Sequence, residues 1–124
     1  MQIIKLIQAK NVLAPVFQEK LSPKLSYKLM KFLNKINVEE RFYGEKMREI
    51  IAQYCEKDND GKYIQTDVGL QIKNGCIDEC NQAISELDLT EVDVPDIAFT
   101  IDELSEIKLS VNDMMALSPF ITEE

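Results

Sequence analysis

The chain has 124 residues, of which 45% are hydrophobic, with only four glycines and four prolines. This composition predicts one folded domain over residues 1–124 and excludes a disordered chain. The net charge of −8 argues against non-specific nucleic-acid binding, and no apolar run is long enough to span a membrane. With three cysteines and no signal-peptide pattern, the chain is predicted to be cytoplasmic.

The first predicted elements are helical. MQIIKLI is either an edge strand or the start of a helix, and residues 8–20 have helical spacing with Pro15 in a kink or a first turn. Ser22 can cap a second helix whose first residue is Pro23. Two apolar sets at helical spacing follow it, which predicts one long helix or two helices with a short break.

The middle of the chain changes pattern after Cys55. The turn sequence DNDG precedes two predicted strands around Tyr63–Gln65 and Leu70–Lys73. Residues 77–88 then return to helical spacing. The sequence therefore predicts a small β-hairpin followed by a helix.

The last third of the chain contains two helix-start signals. EVDVPDIAFTI is predicted to be an extended edge segment, because Pro95 cannot donate a ladder hydrogen bond. Two capping boxes then open short helices, Thr100 with Glu103 and Ser110 with Asp113. The predicted fold class is α+β and mainly α, with long antiparallel helices, a small β-hairpin and short C-terminal helices.

The segment EKDNDGKYIQTD, residues 56–67, has the acidic spacing and central glycine of a calcium-binding EF-hand loop. Its first position is Glu56, where Asp is usual, and Asp67 at the last position is short for a bidentate ligand. Val68-Gly69 then predicts a turn instead of the helix that leaves an EF-hand loop. We therefore predict a hairpin turn and no metal site here.

Residue types that support catalysis are scarce. The chain has no histidine, which removes the usual general base and the commonest metal ligand. Cys76 and Cys80 are four residues apart on a predicted helix and are interpreted as buried thiols, because a zinc site would need further ligands. There is also no glycine-rich phosphate loop. We expect a protein that is not an enzyme and has no cofactor.

Charge is distributed unevenly along the chain. Residues 1–62 contain twelve Lys and Arg against eight Asp and Glu, whereas residues 63–124 contain two against fourteen. Within the basic half, four lysines recur at steps of four, three and four residues: Lys24, Lys28, Lys31 and Lys35. This lysine stripe lies about 100° round the helix from the apolar face, and no acid lies between Glu19 and Glu39.

Three interpretations of the lysine stripe stay open. It is a solvated polar face, a surface that meets the acidic segment 86–106 of another subunit, or a site for a small anion. In an anion site, lysines supply point charges, an arginine binds phosphate with two hydrogen bonds, and an aromatic ring stacks on a base. The candidate ligand-binding residues are Lys24, Tyr27, Lys28, Lys31, Lys35, Arg41, Tyr43 and Arg48.

Three segments, LSPKLSYKLMKFLNKI, YGEKMREIIAQYCEKDNDGKYI and FTIDELSEIKLSVNDMMALSPFI, appear in this order. Together they resemble a group of small proteins encoded by tailed phages and prophages of Firmicutes, from about Asn11 to Glu123. The shared motifs are the helix Pro23–Leu29, Tyr43 with Arg48 (one residue wider than the pattern), and the turn Asp58–Tyr63. The resemblance implies a phage origin and a location in the host cytoplasm, and it carries no site residue over.

The charge pattern and the resemblance lead to two candidate functions. The first is a non-enzymatic phage binding protein that antagonises host defence, in its sharpest form by sequestering a nucleotide-derived immune signal through the Lys/Arg-rich helix. The alternative is a tail or head assembly chaperone, or a minor structural protein, that acts through protein–protein contacts. The expected partners are a small anionic ligand or a host or phage protein, with no membrane and no nucleic acid, and a homo-oligomer is expected.

Overall fold

The computed structural model describes residues 1–122, and it is built mainly from helices. The helices are α1 (Ile3–Leu13), α2 (Pro23–Tyr54), α3 (Ile77–Asp88), α4 (Ile101–Leu104) and α5 (Val111–Leu117). Antiparallel β1 (Gln65–Thr66) and β2 (Gly69–Leu70) form a hairpin, and β3 (Phe99–Thr100) runs parallel to β4 (Ile121–Thr122). The predicted class, mainly α with a small hairpin and short C-terminal helices, is confirmed.

Helix α1 begins at Ile3, so the N-terminal segment is the start of a helix and not an edge strand. The helix ends at Leu13, and Ala14–Val16 continue as one 3₁₀ turn. The prediction of helical structure as far as residue 20 was therefore wrong at its C-terminal end. Proline within this turn has no backbone N–H to donate, which explains why the α-helix stops there.

Helix α2 is one continuous helix of 32 residues. Its start is the predicted one: Pro23 is the first residue, and the Ser22 hydroxyl accepts a hydrogen bond from Leu25 N at 3.3 Å. The N-terminal half of α2 buries one apolar face, which comprises Leu25, Leu29, Phe32 and Ile36. The C-terminal half packs against α3.

The main core joins the N-terminal half of α2 to α1 and to residues 99–120. Phe32 lies at its centre, fully buried, with its ring edge-to-face against Phe99 at 5.5 Å and Phe120 at 4.9 Å between centroids. Each such aromatic pair contributes about 0.5–1.5 kcal/mol beyond its burial. The C-terminal segment is thus held to α2 by a three-ring contact.

The short elements follow the predicted local signals closely. The hairpin strands are centred one or two residues from the predicted positions, and Gly69 (φ +119°) occupies the turn conformation that glycine tolerates best. Both capping boxes form, at Thr100 and at Ser110. The extended segment EVDVPDIAFTI contributes only β3 to a strand pair. The parallel partner of β3 was not predicted, because β4 is a two-residue strand 22 positions further along the chain.

Candidate functional site

The lysine stripe lies where α2 borders a segment that returns from α3. Residues 90–92 are fixed to the N-terminus of the chain, since Ile3 N donates to Thr90 O and Val92 N donates to Met1 O, both at 2.8 Å. The chain then runs along α2 before it enters the core at Phe99, which is 1% exposed. We call residues 93–98 the strap.

The strap and α2 enclose an open surface groove of about 350 Å³. One wall comes from α2 and the other from the strap; the lining residues are Lys24, Tyr27, Lys28, Lys31, Asp96, Ile97 and Ala98. We call this the lysine groove. Four of the eight predicted ligand-binding residues are therefore brought together in one place.

Tyr27 provides the aromatic surface of the lysine groove. Tyr27 is 59% exposed. The Lys31 ammonium nitrogen lies 5.3 Å from the centroid of the Tyr27 ring, within cation–π distance. The groove therefore brings a positive charge and an exposed aromatic ring together, and these are the two groups that bind phosphate and stack on a base.

Lys28 differs from its neighbours because its charge is already paired. Its Nζ lies 2.8 Å from Glu103 Oε1 and 5.7 Å from the centroid of the Phe99 ring. Glu103 Oε1 also accepts a hydrogen bond from Thr100 N at 2.9 Å. The hydrogen bonds from Lys28 and then from Thr100 outweigh the opposing effect of burial and lower the pKa of Glu103 from 4.5 to about 2. Lys28 is therefore part of the fold as well as of the groove.

Acidic residues of the segment 86–106 thus meet the lysine stripe within one chain. Glu103 pairs with Lys28, and Asp96 lies across the groove from it. A second subunit is not needed to bring the two charged regions together. The interpretation of the stripe as a surface for that segment of another subunit stays a prediction, and Lys28 is the stripe residue whose charge is already paired within the chain.

The other four predicted residues do not line the groove. Lys35 is exposed beyond its end. Arg41 and Arg48 are exposed on another side of α2, more than about 100° round from the stripe at 3.6 residues per turn. Tyr43 faces α3, where its hydroxyl donates to Asp88 Oδ1 at 2.6 Å. Burial, followed by this hydrogen bond, raises the pKa of Tyr43 to about 12.

Sequence reasoning missed the strap wall of the groove and the role of Glu103. The capping box at Thr100 and Glu103 was recognisable from local spacing, but its ion pair joins residues 75 positions apart. Asp96 was one acid among many in its region, and nothing in the local pattern gives its position along α2. Acids and apolar residues alternate around Pro95, and this pattern was the one local signal that the segment lies against the surface of the protein.

The EF-hand-like segment forms a hairpin turn, as predicted. Asp58 Oδ1 accepts hydrogen bonds from Asp60 N at 2.9 Å and Lys62 N at 3.0 Å. Strand β1 occupies Gln65–Thr66, where an EF-hand would begin its second helix. Within residues 1–122, no three His, Cys, Asp or Glu side chains are arranged to hold a metal ion.

A calcium titration tests this interpretation. Because the Asp58 carboxylate is already an acceptor for its own turn and no helix orders the far side of the loop, we expect no calcium binding at micromolar concentrations by calorimetry. Asp58→Asn should leave the titration unchanged. A saturable micromolar isotherm that this substitution abolishes would contradict the prediction.

The three cysteines lie near one another at the far end of α2. Cys55 and Cys80 are buried free thiols, whereas Cys76 is partly exposed. Burial, and then the proximity of the other two thiols, raises the pKa of Cys80. A raised pKa disfavours the reactive thiolate, so Cys80 has the character of a structural thiol.

Two further findings do not involve the groove. Among the helices of residues 1–122, none combines the length and the apolar character required to cross a bilayer. No family model, no curated protein and no solved structure matches the chain.

Proposed function

We propose that this chain is a non-enzymatic binding protein that holds a small phosphate-bearing ligand in the lysine groove. The observation that supports this most directly is the arrangement of Lys24, Tyr27 and Lys31 on one wall of an open groove. Neither Lys24 nor Lys31 forms an ion pair within residues 1–122, so both ammonium groups are available to a ligand.

The spacing of these groups suits an elongated anionic ligand. Lys24 and Lys31 are seven residues apart, which separates them by about 10 Å along the helix axis. Tyr27 lies between them in sequence, with its ring exposed. A nucleotide has a comparable layout, since its phosphate and its flat base are held apart by a sugar. Stacking on an aromatic ring is worth about 1–3 kcal/mol per base.

A binding role fits the residue types better than a catalytic role. The groove contains lysines, one tyrosine and one aspartate, and the chain has no histidine to transfer protons near neutral pH. A ligand held by point charges and stacking is retained without being converted. Retention is the property that a sequestering protein needs.

The biological part of the proposal rests on the resemblance to small phage and prophage proteins. A phage protein in the host cytoplasm that retains a nucleotide would lower the free concentration of a nucleotide-derived defence signal. We therefore propose antagonism of host defence by sequestration as the function, with the lysine groove as the site.

A depletion experiment tests the binding site. The purified protein is mixed with candidate cyclic nucleotides and ADP-ribose derivatives, and the ligand is measured in the filtrate and again after denaturation. We expect Lys24→Glu and Lys31→Glu each to reduce uptake by about tenfold or more, because each removes a charge-assisted hydrogen bond and adds repulsion. Both lysines are exposed, so stability should change little.

Arg41→Glu is the matched control for these variants. It makes the same charge reversal on the same helix, but outside the groove, so it should leave uptake unchanged. Equal losses in all three variants would show a diffuse effect of net charge. Failure of the wild-type protein to deplete any candidate would exclude sequestration of these ligands.

Assembly through protein–protein contacts is the second candidate. The observation that favours it is a set of large apolar side chains on the outer surface of the helices that are 39–77% exposed. The set comprises Met30, Val38, Phe42, Val111 and Met115. Phe and Met are among the residue types that are enriched where proteins meet. Direct binding of a purified tail-tube or tape-measure protein, lost in Val38→Glu but not in Lys31→Glu, would favour this function over sequestration.

A further inference from the structure

The wall of the lysine groove opposite α2 presents a carboxylate. Asp96 is exposed, lines the groove and forms no ion pair within residues 1–122. The neighbouring residue, Ile97, is partly buried and packs against the core, which fixes the position of this wall. A negatively charged acceptor therefore faces Lys24, Tyr27 and Lys31 across the groove.

The lysines of the groove exceed its carboxylates by one charge. Lys28 is matched by Glu103, and Asp96 offsets one of the two remaining lysines. A site of this kind attracts a simple polyanion such as pyrophosphate poorly, since the carboxylate repels it. The same carboxylate is a strong acceptor for N–H and O–H donors.

We propose that Asp96 determines the specificity of the groove. It selects an organic phosphate that has hydrogen-bond donors on its base or sugar, and it disfavours inorganic phosphates. This inference rests on the proposed function, because it names the class of ligand for the same groove. The lysines hold the phosphate, Tyr27 stacks on the flat part of the ligand, and Asp96 accepts its N–H or O–H groups.

The backbone around Asp96 allows this wall to adjust to a ligand. No backbone hydrogen bond joins residues 93–97 to the rest of the described chain, whereas both ends of the strap are fixed, at Val92 and at Phe99. Because Ile97 packs against the core, the part of the strap that can shift at small cost is residues 93–96, and this shift can bring the Asp96 carboxylate towards a donor without disturbing the core.

Binding measurements with three probes test the inference: GMP, ribose 5-phosphate and pyrophosphate. We expect the wild-type protein to bind at least one of the two organic phosphates about tenfold or more tightly than pyrophosphate. In Asp96→Ala, the affinity for that organic phosphate should fall about tenfold, because a hydrogen bond to a charged acceptor is lost. The affinity for pyrophosphate should rise, because a repulsive charge is removed.

Asp93→Ala is the matched control, since Asp93 lies on the same strap but lines a different groove. It should leave both affinities unchanged. If Asp96→Ala strengthens the binding of all three probes by a similar factor, Asp96 only repels anions and the inference is wrong while the proposed function stands. If no probe binds the wild-type protein or either variant, the inference is wrong, whereas the proposed function fails only if the depletion experiment with cyclic nucleotides and ADP-ribose derivatives is also negative.

Discussion

Replacement of Phe32 by alanine should lower the free energy of unfolding by about 3–5 kcal/mol, the largest effect we expect from any single substitution in the core. The Phe32 side chain is fully buried, and it contacts two other rings edge-to-face. Alanine would leave a cavity between α2 and the C-terminal segment, which the surrounding helices can fill only in part. Urea unfolding followed by circular dichroism measures the loss.

Phe42→Ala provides the comparison for this prediction. It removes the same side chain from the same helix, but at a position that is 39% exposed, so the expected loss is about 1 kcal/mol or less. A loss at Phe32 no larger than the loss at Phe42 would show that the three-ring contact does not organise the core.

The helical part of the fold was predictable because its signals are local. Helix α2 has a cap, a proline at its first position and a repeated apolar spacing, and all three act within a few residues. The same holds for the two capping boxes. The place where α1 ends was harder to predict, because Pro15 is compatible with a kink, a first turn or a stop.

The tertiary contacts were not predictable in the same way. The sequence pattern places Phe32 on an apolar face, but it does not show that Phe99 and Phe120 are the residues that cover it. The parallel pair β3–β4 was unpredictable for the same reason. Each strand has only two residues, which is too short for a periodic signal, and the pair forms because the core brings the two segments together. These features depend on which faces meet, which single-sequence periodicity does not encode.

In the candidate site, too, the local features were predictable and the long-range contacts were not. Lysine spacing along one helix predicted that Lys24, Lys28 and Lys31 share a side of α2, because helix geometry relates residues three and four apart. The opposing wall belongs to a segment more than sixty residues further on, so the position of Asp96 follows from the fold alone.

The long-range contact of Lys28 also decides which substitutions can test ligand binding without changing stability. A substitution at Lys28 removes a positive charge from the groove and also breaks an ion pair that holds α4 to α2. A loss of binding in that variant would therefore have two explanations. Lys24 and Lys31 separate ligand binding from stability, because their side chains are exposed and form no ion pair within residues 1–122.

The ion pair between Glu103 and Lys28 is expected to make stability depend on pH in the acid range. The folded state lowers the pKa of Glu103 from 4.5 to about 2, and its side chain is only 11% exposed. A folded-state pKa below the unfolded value means that the stabilisation is fully present above about pH 4.5. It is lost as the pH falls from 4.5 towards 2, because over this range the carboxylate of the unfolded chain takes up a proton while the folded one is still ionised; the loss is complete once the folded carboxylate is protonated as well.

The size of this effect follows from the difference between the two pKa values, which corresponds to about 3 kcal/mol at neutral pH. Glu103→Gln should therefore be less stable than the wild-type protein by roughly 2–3 kcal/mol at pH 7, and the two proteins should converge near pH 2. Glu45→Gln is the control: this carboxylate is exposed on α2 and forms no ion pair within residues 1–122, so its variant should follow the wild-type curve closely.

The net lowering of the Glu103 pKa already contains the cost of burying its carboxylate. Glu103 Oε2 is buried without a hydrogen-bond partner among the described residues, so part of the gain at Oε1 is offset by the cost of burying the second oxygen. Lys28→Met keeps an unbranched apolar side chain but removes the ammonium group, and with it both the ion pair to Glu103 and the cation–π contact with Phe99. If Lys28→Met and Glu103→Gln lose similar free energy at pH 7, and the double variant loses no more than either alone, the ion pair is the source of the effect. Additive losses would instead assign most of the pKa change to the hydrogen bond from Thr100 N, which the carboxylate would keep without Lys28.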